Sequence, residues 1–209
     1  IKYLKDDRTG GQVDFDKDRD KGKTDIYGLS FDNERIEGFA KIGYVFPQNR
    51  LRSIGLLLSA SNYKQDSYFG LRNYESEQSN GYANLIFQDI IGTVTHKYKV
   101  GGSVTYDKYK ENVEARNFDR IESVSGVFAE YTFSPSEKFD MVLGLRQDYN
   151  SLYGWFTTPR LVARYNPVTG NTIRFSTDRG QRTANIFAEN MSMLASSRAI
   201  NYASLQNKN

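Results

Sequence analysis

The sequence predicts an all-β chain, an antiparallel transmembrane β-barrel of which about eight strands are legible. Apolar and polar residues alternate with the strand period of two, which gives each run one dry face and one wet face. The runs last about nine to thirteen residues. Strands of soluble sandwiches average ~5–6 residues, whereas a tilted strand needs ~9–11 to cross a bilayer. The connections alternate between short and long, as in outer-membrane barrels with short periplasmic turns and long outer loops.

The first run, 35–46, sets Ile36, Ala40, Ile42, Tyr44 and Phe46 against Arg35, Glu37 and Lys41. In 53–63, Ile54, Leu56, Leu58 and Ala60 oppose Ser53, Gly55, Ser59 and Ser61. The run 82–91 is the weakest, because Asp89 breaks its apolar side of Ala83, Leu85 and Phe87. In 97–107, Tyr98, Val100, Val104 and Tyr106 oppose Lys97, Lys99, Ser103 and Asp107. The run 123–133 sets Val127, Ala129, Tyr131 and Phe133 against Gly126 and Glu130, and 139–149 sets Phe139, Met141, Leu143 and Leu145 against Asp140, Gly144, Arg146 and Asp148. Two last runs, 157–165 and 172–179, carry Arg160, Arg164, Arg174 and Asp178 on their polar sides. Connections 47–50, 92–96, 134–138 and 166–171 are short, 64–81 and 108–122 are long, and 150–156 is intermediate. Aromatics near the strand ends fit the interfacial girdles of a barrel.

Composition removes several classes of function. The 209 residues include no Cys and one His, which excludes disulfides, thiolate zinc sites and a cysteine nucleophile. Basic and acidic residues number 28 and 25, a net charge of +3 without a basic block, so no nucleic-acid partner is expected. The longest apolar stretch, 54–58, is far below the ~20 residues of a membrane-spanning helix. The opening Ile1-Lys2-Tyr3-Leu4 lacks an initiator Met and a signal-peptide pattern, and the chain is expected to be a piece of something longer.

Several motifs resemble the barrel of TonB-dependent outer-membrane receptors, especially those of Bacteroidetes. They are Thr158-Pro159-Arg160-Leu161, Arg164-Tyr165-Asn166-Pro167, Arg174-Phe175-Ser176, and the run Gly180-Gln181-Arg182-Thr183-Ala184-Asn185-Ile186-Phe187-Ala188-Glu189-Asn190 with Ser196-Ser197-Arg198. Upstream, Asp7-Arg8-Thr9-Gly10-Gly11-Gln12, Phe39-Ala40-Lys41-Ile42-Gly43-Tyr44-Val45-Phe46 and Gly126-Val127-Phe128-Ala129-Glu130-Tyr131 resemble the same group. The resemblance implies a barrel of about 22 strands with an N-terminal plug. It implies residence in the outer membrane of a Gram-negative bacterium, contact with its lipid, and active import of a scarce solute such as a ferric siderophore, haem, cobalamin, oligosaccharide or peptide. Energy would come through the TonB complex, which grips a TonB box near the receptor's N-terminus. Neither plug nor box is expected in 1–209, since nothing before residue 35 looks like a plug, and 201–209 depart from the expected next strand.

Candidate site residues follow. Arg146, Arg160, Arg164, Arg174 and Glu130, with Arg35, Lys41, Lys97, Lys99, Asp140, Asp148 and Asp178, are expected to face the lumen or plug. They form either a wall of salt bridges or, near the rim, a grip on an anionic ligand. The expected extracellular loops carry Tyr68, Tyr109 and Trp155 among other aromatics, interleaved with Arg72 and Arg120. Such a surface suits a large, partly apolar, anionic solute, or else packing between loops or against a surface lipoprotein. Asp14, Asp16, Asp18 and Asp20 offer oxygens for a structural calcium ion, but Gly22 falls seventh from Asp16 and Tyr27 twelfth, which excludes an EF-hand; the alternative is a solvated polar loop. No enzyme is expected, because His96 alone, in a predicted periplasmic turn, cannot build a catalytic set. The competing function is a small self-contained barrel acting as a passive pore or adhesin.

Overall fold

The computed structural model describes residues 1–196, 198 and 200. Its strands are β1 (Lys2–Gly11), β2 (Gly28–Val45), β3 (Ser53–Phe69), β4 (Arg72–Ile91), β5 (Thr93–Val113), β6 (Arg116–Asn117), β7 (Arg120–Ser136), β8 (Phe139–Asn150), β9 (Gly154–Tyr165) and β10 (Ile173–Asp178). All ten lie in one antiparallel meander of order β1-β2-β3-β4-β5-β7-β8-β9-β10, with β6 pairing β5. In the described sheet β1 and β10 are edges. Two short helices, α1 (Lys17–Asp20) and α2 (Ile186–Glu189), and a 3-10 turn, Met191–Met193, complete the architecture.

Register turns the alternation into two continuous surfaces. Leu56 pairs Leu85, which pairs Gly102, and Gly102 pairs Val127. Farther along, Tyr98 pairs Tyr131, then Leu143, then Leu161. These side chains share one face, and its apolar members stand exposed, Val127 at 64% and Leu145 at 56%. The opposite face carries Lys99, Glu130, Gly144, Arg160 and Asp178 in one row, and Asp140, Arg164 and Arg174 in another. The aromatics of the apolar face gather at two levels. At one level His96, Tyr131 and Phe133 stack, with Phe139 against Phe133, and at the other Tyr149 meets Trp155 at 5.1 Å. From Trp155 to Tyr165 a strand rising ~3.3 Å per residue and tilted ~40° climbs about 25 Å, the height of the apolar band of an outer-membrane barrel.

Four expectations are corrected. The chain forms a strand, β1, before residue 35, paired to an N-terminal extension of β2. The connections 64–81 and 108–122 are not long loops: β3 and β4 continue to a tight turn at Gly70 and Leu71, and β5 continues to a tight turn at Glu114 and Ala115. The extensions escape a period-two search because beyond the apolar band both faces carry polar residues, and their outward side carries Lys64, Asp66, Glu75, Glu77, Lys108 and Lys110. His96 lies within β5 rather than in a turn, its Nδ1 2.5 Å from the Tyr131 hydroxyl. Asp89, which breaks the apolar side of its run, sits within β4 at the sheet's end, where Arg52 Nε at 2.6 Å and Asn49 Nδ2 at 3.1 Å donate to it and tie down the β2–β3 turn. Residues 201–209 lie outside the described residues.

An arginine placed on the apolar face must be buried in hydrocarbon, whereas one on the polar face meets water and countercharge. Leu143→Arg should therefore cost ~2–4 kcal/mol of stability in phospholipid vesicles, and Thr158→Arg on the opposite face less than ~1 kcal/mol. Denaturant titration of the vesicle-inserted protein checks the difference, and equal losses would mean that the two faces are misassigned.

Candidate functional site

The polar face is bonded within itself. Lys99 Nζ donates to Glu130 Oε1 at 3.0 Å, Arg35 pairs Glu37 at 2.7 Å, and Arg164 pairs Asp140. Arg146 holds Asp148 through Nε at 2.7 Å and Nη2 at 2.5 Å, and the same Nη2 donates to Ser103 at 2.8 Å. Gly126 makes that triad possible, because a Cβ there would stand 1.8 Å from Asp148 Oδ1. The arginines expected on this face are all there, with Arg160 and Arg174 in the same rows.

The outward end of this face carries the candidate site. One row across five strands reads Arg35, Tyr63, Gln78, Tyr109 and Arg120. Tyr63 donates to Asn33 at 2.9 Å, Gln78 donates to the Tyr109 oxygen at 3.1 Å, and the Arg120 guanidinium stacks 4.4 Å over the Tyr109 ring. Burial raises the phenol pKa of both Tyr63 and Tyr109, so both stay protonated as donors. A second layer covers the far end of the face. After β10 the chain leaves the sheet at Arg179, whose N–H donates to Pro159 O, and residues 180–196 run back over β7, β5, β4 and β3 as a strap. Thr183 Oγ1 donates to Glu122 at 2.5 Å, Phe187 packs on Phe118 at 4.8 Å, Gln65 Nε2 reaches Met191 Sδ at 3.2 Å, and Leu194 is buried with Phe69, Tyr74 and Val113.

Beneath the strap, Glu111 accepts from the Tyr74 hydroxyl at 2.8 Å. Burial raises the Glu111 pKa above the usual carboxylate value, opposed by the Tyr74 bond and by the nearby Asn185 and Arg120 and reinforced by Asp119, and burial likewise drives the Tyr74 phenol upward. Glu122 is also buried and accepts from Asn150 at 2.6 Å.

The five residues expected on loops all lie in strands, a consequence of the extended hairpins: Tyr68 in β3, Arg72 in β4, Tyr109 in β5, Arg120 in β7 and Trp155 in β9. The structure brings only some of them together. Tyr109 and Arg120 stack on the polar face, and Arg72 stands at its tip, bonded to Glu114 at 3.0 Å and to Met193 O at 3.5 Å. Trp155 belongs to the opposite, apolar face beside Tyr149. Tyr68 also points to that side, but the β1–β2 connection covers it with Phe15 at 6.5 Å and Lys21 at 4.9 Å. Gly28 permits this cover, since a Cβ there would stand 2.1 Å from the Phe15 ring.

Asp14, Asp16, Asp18 and Asp20 are not gathered around a common point. Asp16 caps α1 by accepting from Asp18 N and Arg19 N at 3.0 Å each, and Asp20 pairs Arg19 at 2.8 Å, with its pKa lowered to about 2 by that bond first. Among the described residues no group of three or more His, Asp or Glu side chains is placed to hold a metal ion. The residues that sequence reasoning missed are Glu111, Glu122, Thr183 and Asn185. Extending the period of β5 beyond Asp107 would have put Glu111 on the polar face, and Thr183 and Asn185 stood inside a motif already singled out.

A family model described as "TonB dependent receptor-like, beta-barrel" matches residues 2–209. Among solved structures, the alcaligin outer-membrane receptor FauA from Bordetella pertussis is similar with TM-score 0.57 and 13% identity, over 72% of this chain and 32% of that one. The siderophore receptor PirA from Pseudomonas aeruginosa follows with TM-score 0.55 and 14% identity, over 88% and 35%. A chain of the FpvAI–pyocin S2 complex has TM-score 0.55 and 9% identity, over 72% and 31%. The chain thus spans about a third of the length of the solved structures it matches. No curated protein matches it.

Two outcomes follow from this geometry. Gly126→Ala should displace Asp148 from Arg146 and lower stability by ~1–3 kcal/mol, measured by denaturant titration. Because the folded Glu111 holds its proton more tightly than an exposed carboxyl, strap docking should be full below pH 4.5 and weaken as pH rises through the raised pKa. Hydrogen exchange of residues 186–194 as a function of pH checks this, and Glu111→Gln should flatten the profile.

Proposed function

Because this chain belongs to the family of TonB-dependent receptor-like β-barrels of the Gram-negative outer membrane, we propose that it forms part of the wall and outer site of an active importer of a scarce, large solute. The observation that carries the reading is the row Arg35, Tyr63, Gln78, Tyr109 and Arg120 at the outward end of the polar face. Two tyrosines offer apolar rings with protonated hydroxyls, a glutamine offers an amide, and two arginines offer planar forks for carboxylate or other oxyanions. The solute class that fits is the chelate or macrocycle, of ferric siderophore, haem or cobalamin type. Two of the similar structures are receptors named for alcaligin and for siderophores, which favours the first of these.

In this reading the plug, the TonB box and the strands that close β1 to β10 belong to parts of the receptor outside the 209 residues. Contact with the TonB complex is made there, and the apolar face meets lipid. The open edges speak for this arrangement over a small self-contained pore or adhesin, since unpaired strand edges are not tolerated in hydrocarbon. The solute crosses chemically unchanged: His96, at the opposite end and on the other face, is bound up with aromatics.

The test is uptake by a host that lacks its own receptor and carries the full receptor gene, supplied in turn with a ferric siderophore panel, haem or cobalamin as the limiting nutrient. Tyr63→Ala, Tyr109→Ala and Arg120→Ala combined should lower uptake by at least ~10-fold at unchanged surface level, equivalent to ~1.4 kcal/mol of binding. Trp155→Ala should leave uptake within about twofold, since a girdle side chain contributes anchoring rather than recognition. Removal of TonB should abolish uptake altogether. A silent triple variant, or uptake indifferent to TonB, would overturn the proposal.

A further inference from the structure

The apolar face carries a polar pair just beneath its outward girdle. Gln147 of β8 and Thr157 of β9 stand opposite each other in the row that runs through Ile42, Leu56, Leu85, Gly102 and Val127. Thr157 Oγ1 donates to Gln147 Oε1 at 2.5 Å, which satisfies one end of the amide. At the other end Gln147 Nε2 meets no acceptor among the described residues, and hydrocarbon offers none either. One step outward on the same two strands stand Tyr149 and Trp155, the aromatic pair of the girdle. Two residues of a strand rising ~3.3 Å each and tilted ~40° place the amide about 5 Å below that pair, the depth at which acyl chains join their headgroups. Beside the amide the face is hollow, because the small residues Ala83, Gly102 and Ser125 lie along a groove of about 430 Å³ that ends at Gln147, Tyr149 and Trp155.

We infer that this groove seats one acyl chain of an outer-leaflet lipopolysaccharide, whose linkage carbonyl accepts a hydrogen bond from Gln147 Nε2. A bare hydrocarbon tail would fill the groove and leave the amide unpaired, whereas a carbonyl at the head of the tail supplies the missing acceptor at the depth of the amide. The groove lies at the outward end of the sheet and so opens to the outer leaflet, where the acylated lipid of a Gram-negative outer membrane is lipopolysaccharide. The amphipathic rings of Tyr149 and Trp155 stand where chain meets headgroup. The row of tyrosines and arginines proposed to meet the solute lies on the opposite face, so lipid seating does not depend on that reading.

The test uses the full receptor, purified in mild detergent from host outer membranes and washed, with bound lipid quantified by the 3-hydroxy acyl chains that distinguish lipopolysaccharide from phospholipid. The native receptor should retain lipopolysaccharide in stoichiometric amount. Gln147→Met keeps the length of the side chain and removes its donors, and it should lower the retained amount by ~5-fold, the equivalent of one neutral hydrogen bond. Gly102→Leu fills the groove and should lower it at least as far; a Cβ there stands 3.4 Å from its nearest neighbour, Gly126 O, so the sheet accommodates it. Leu161→Ala, on the same face outside the groove, should retain the native amount. If Gly102→Leu does not reach the membrane, Ala83→Leu replaces it with the same expected result. Native retention by both Gln147→Met and the groove-filling variant would overturn the inference, as would a native receptor that holds phospholipid alone or no lipid. A native dimer that Gln147→Met converts to monomers would assign the amide to a second copy of the chain and overturn the inference equally. Solute uptake by Gln147→Met should stay unchanged, so that a failure of the uptake experiment faults the proposed function alone.

Discussion

Every feature of this chain depends on one requirement: a sheet standing in hydrocarbon must bond each backbone amide to a neighbouring strand and must turn a dry side to the lipid. Between its two edge strands, β1 and β10, the antiparallel meander meets the first demand. The period of two meets the second, and register locks it, since a slip of one residue would exchange Leu143 and Leu161 for Gly144 and Arg160 across the sheet. Charged side chains are thereby confined to the other face. There they neutralise one another in pairs, Lys99 with Glu130, Arg146 with Asp148 and Arg164 with Asp140.

Beyond the apolar band the requirement lapses, and the strands change character without ending. Hairpins β3–β4 and β4–β5 keep their ladders but turn charge to the outside, with Lys5, Glu34, Lys64, Glu77 and Lys110 in one alternating row. Neighbouring opposite charges support the ladder modestly, by ~0.2–1 kcal/mol per pair. The inward side of the same hairpins carries hydroxyls, amides, tyrosines and arginines. Rigid strands, rather than loops, therefore display the side chains proposed to meet the solute, and a residue held in a ladder keeps its position better than one on a loop.

The hairpin tips would leave Phe69, Tyr74 and Val113 in water, and the strap closes over them. This contact also buries Glu111 and Glu122; Glu122 is compensated by donors from both the strand side, Asn150, and the strap side, Thr183, and Glu111 by the Tyr74 hydroxyl. Polar bonds that demand both partners fix where the strap sits, while the small apolar socket limits how firmly it is held.

The sequence by itself determined the two-sided character of the sheet, because alternation is a local property that lipid on one side imposes on each strand separately. From it came the faces of Leu56, Tyr98, Ala129, Leu143 and Leu161 and of Ser103, Glu130, Gly144, Arg160 and Arg174, and the motifs around Pro159 and Gly180 carried the family. Tertiary structure decided where lipid-imposed patterning gives way to water, and hence that Tyr68, Arg72, Tyr109, Arg120 and Trp155 lie in strands. It separated Trp155 from Tyr109 by a single parity step, a distinction that amphipathic aromatics do not announce in sequence because they serve both girdles and binding sites. It also joined Thr183 to Glu122 and Leu194 to Phe69, Tyr74 and Val113 across tens of residues, contacts set by where a returning chain crosses the sheet and by no local preference of the residues themselves.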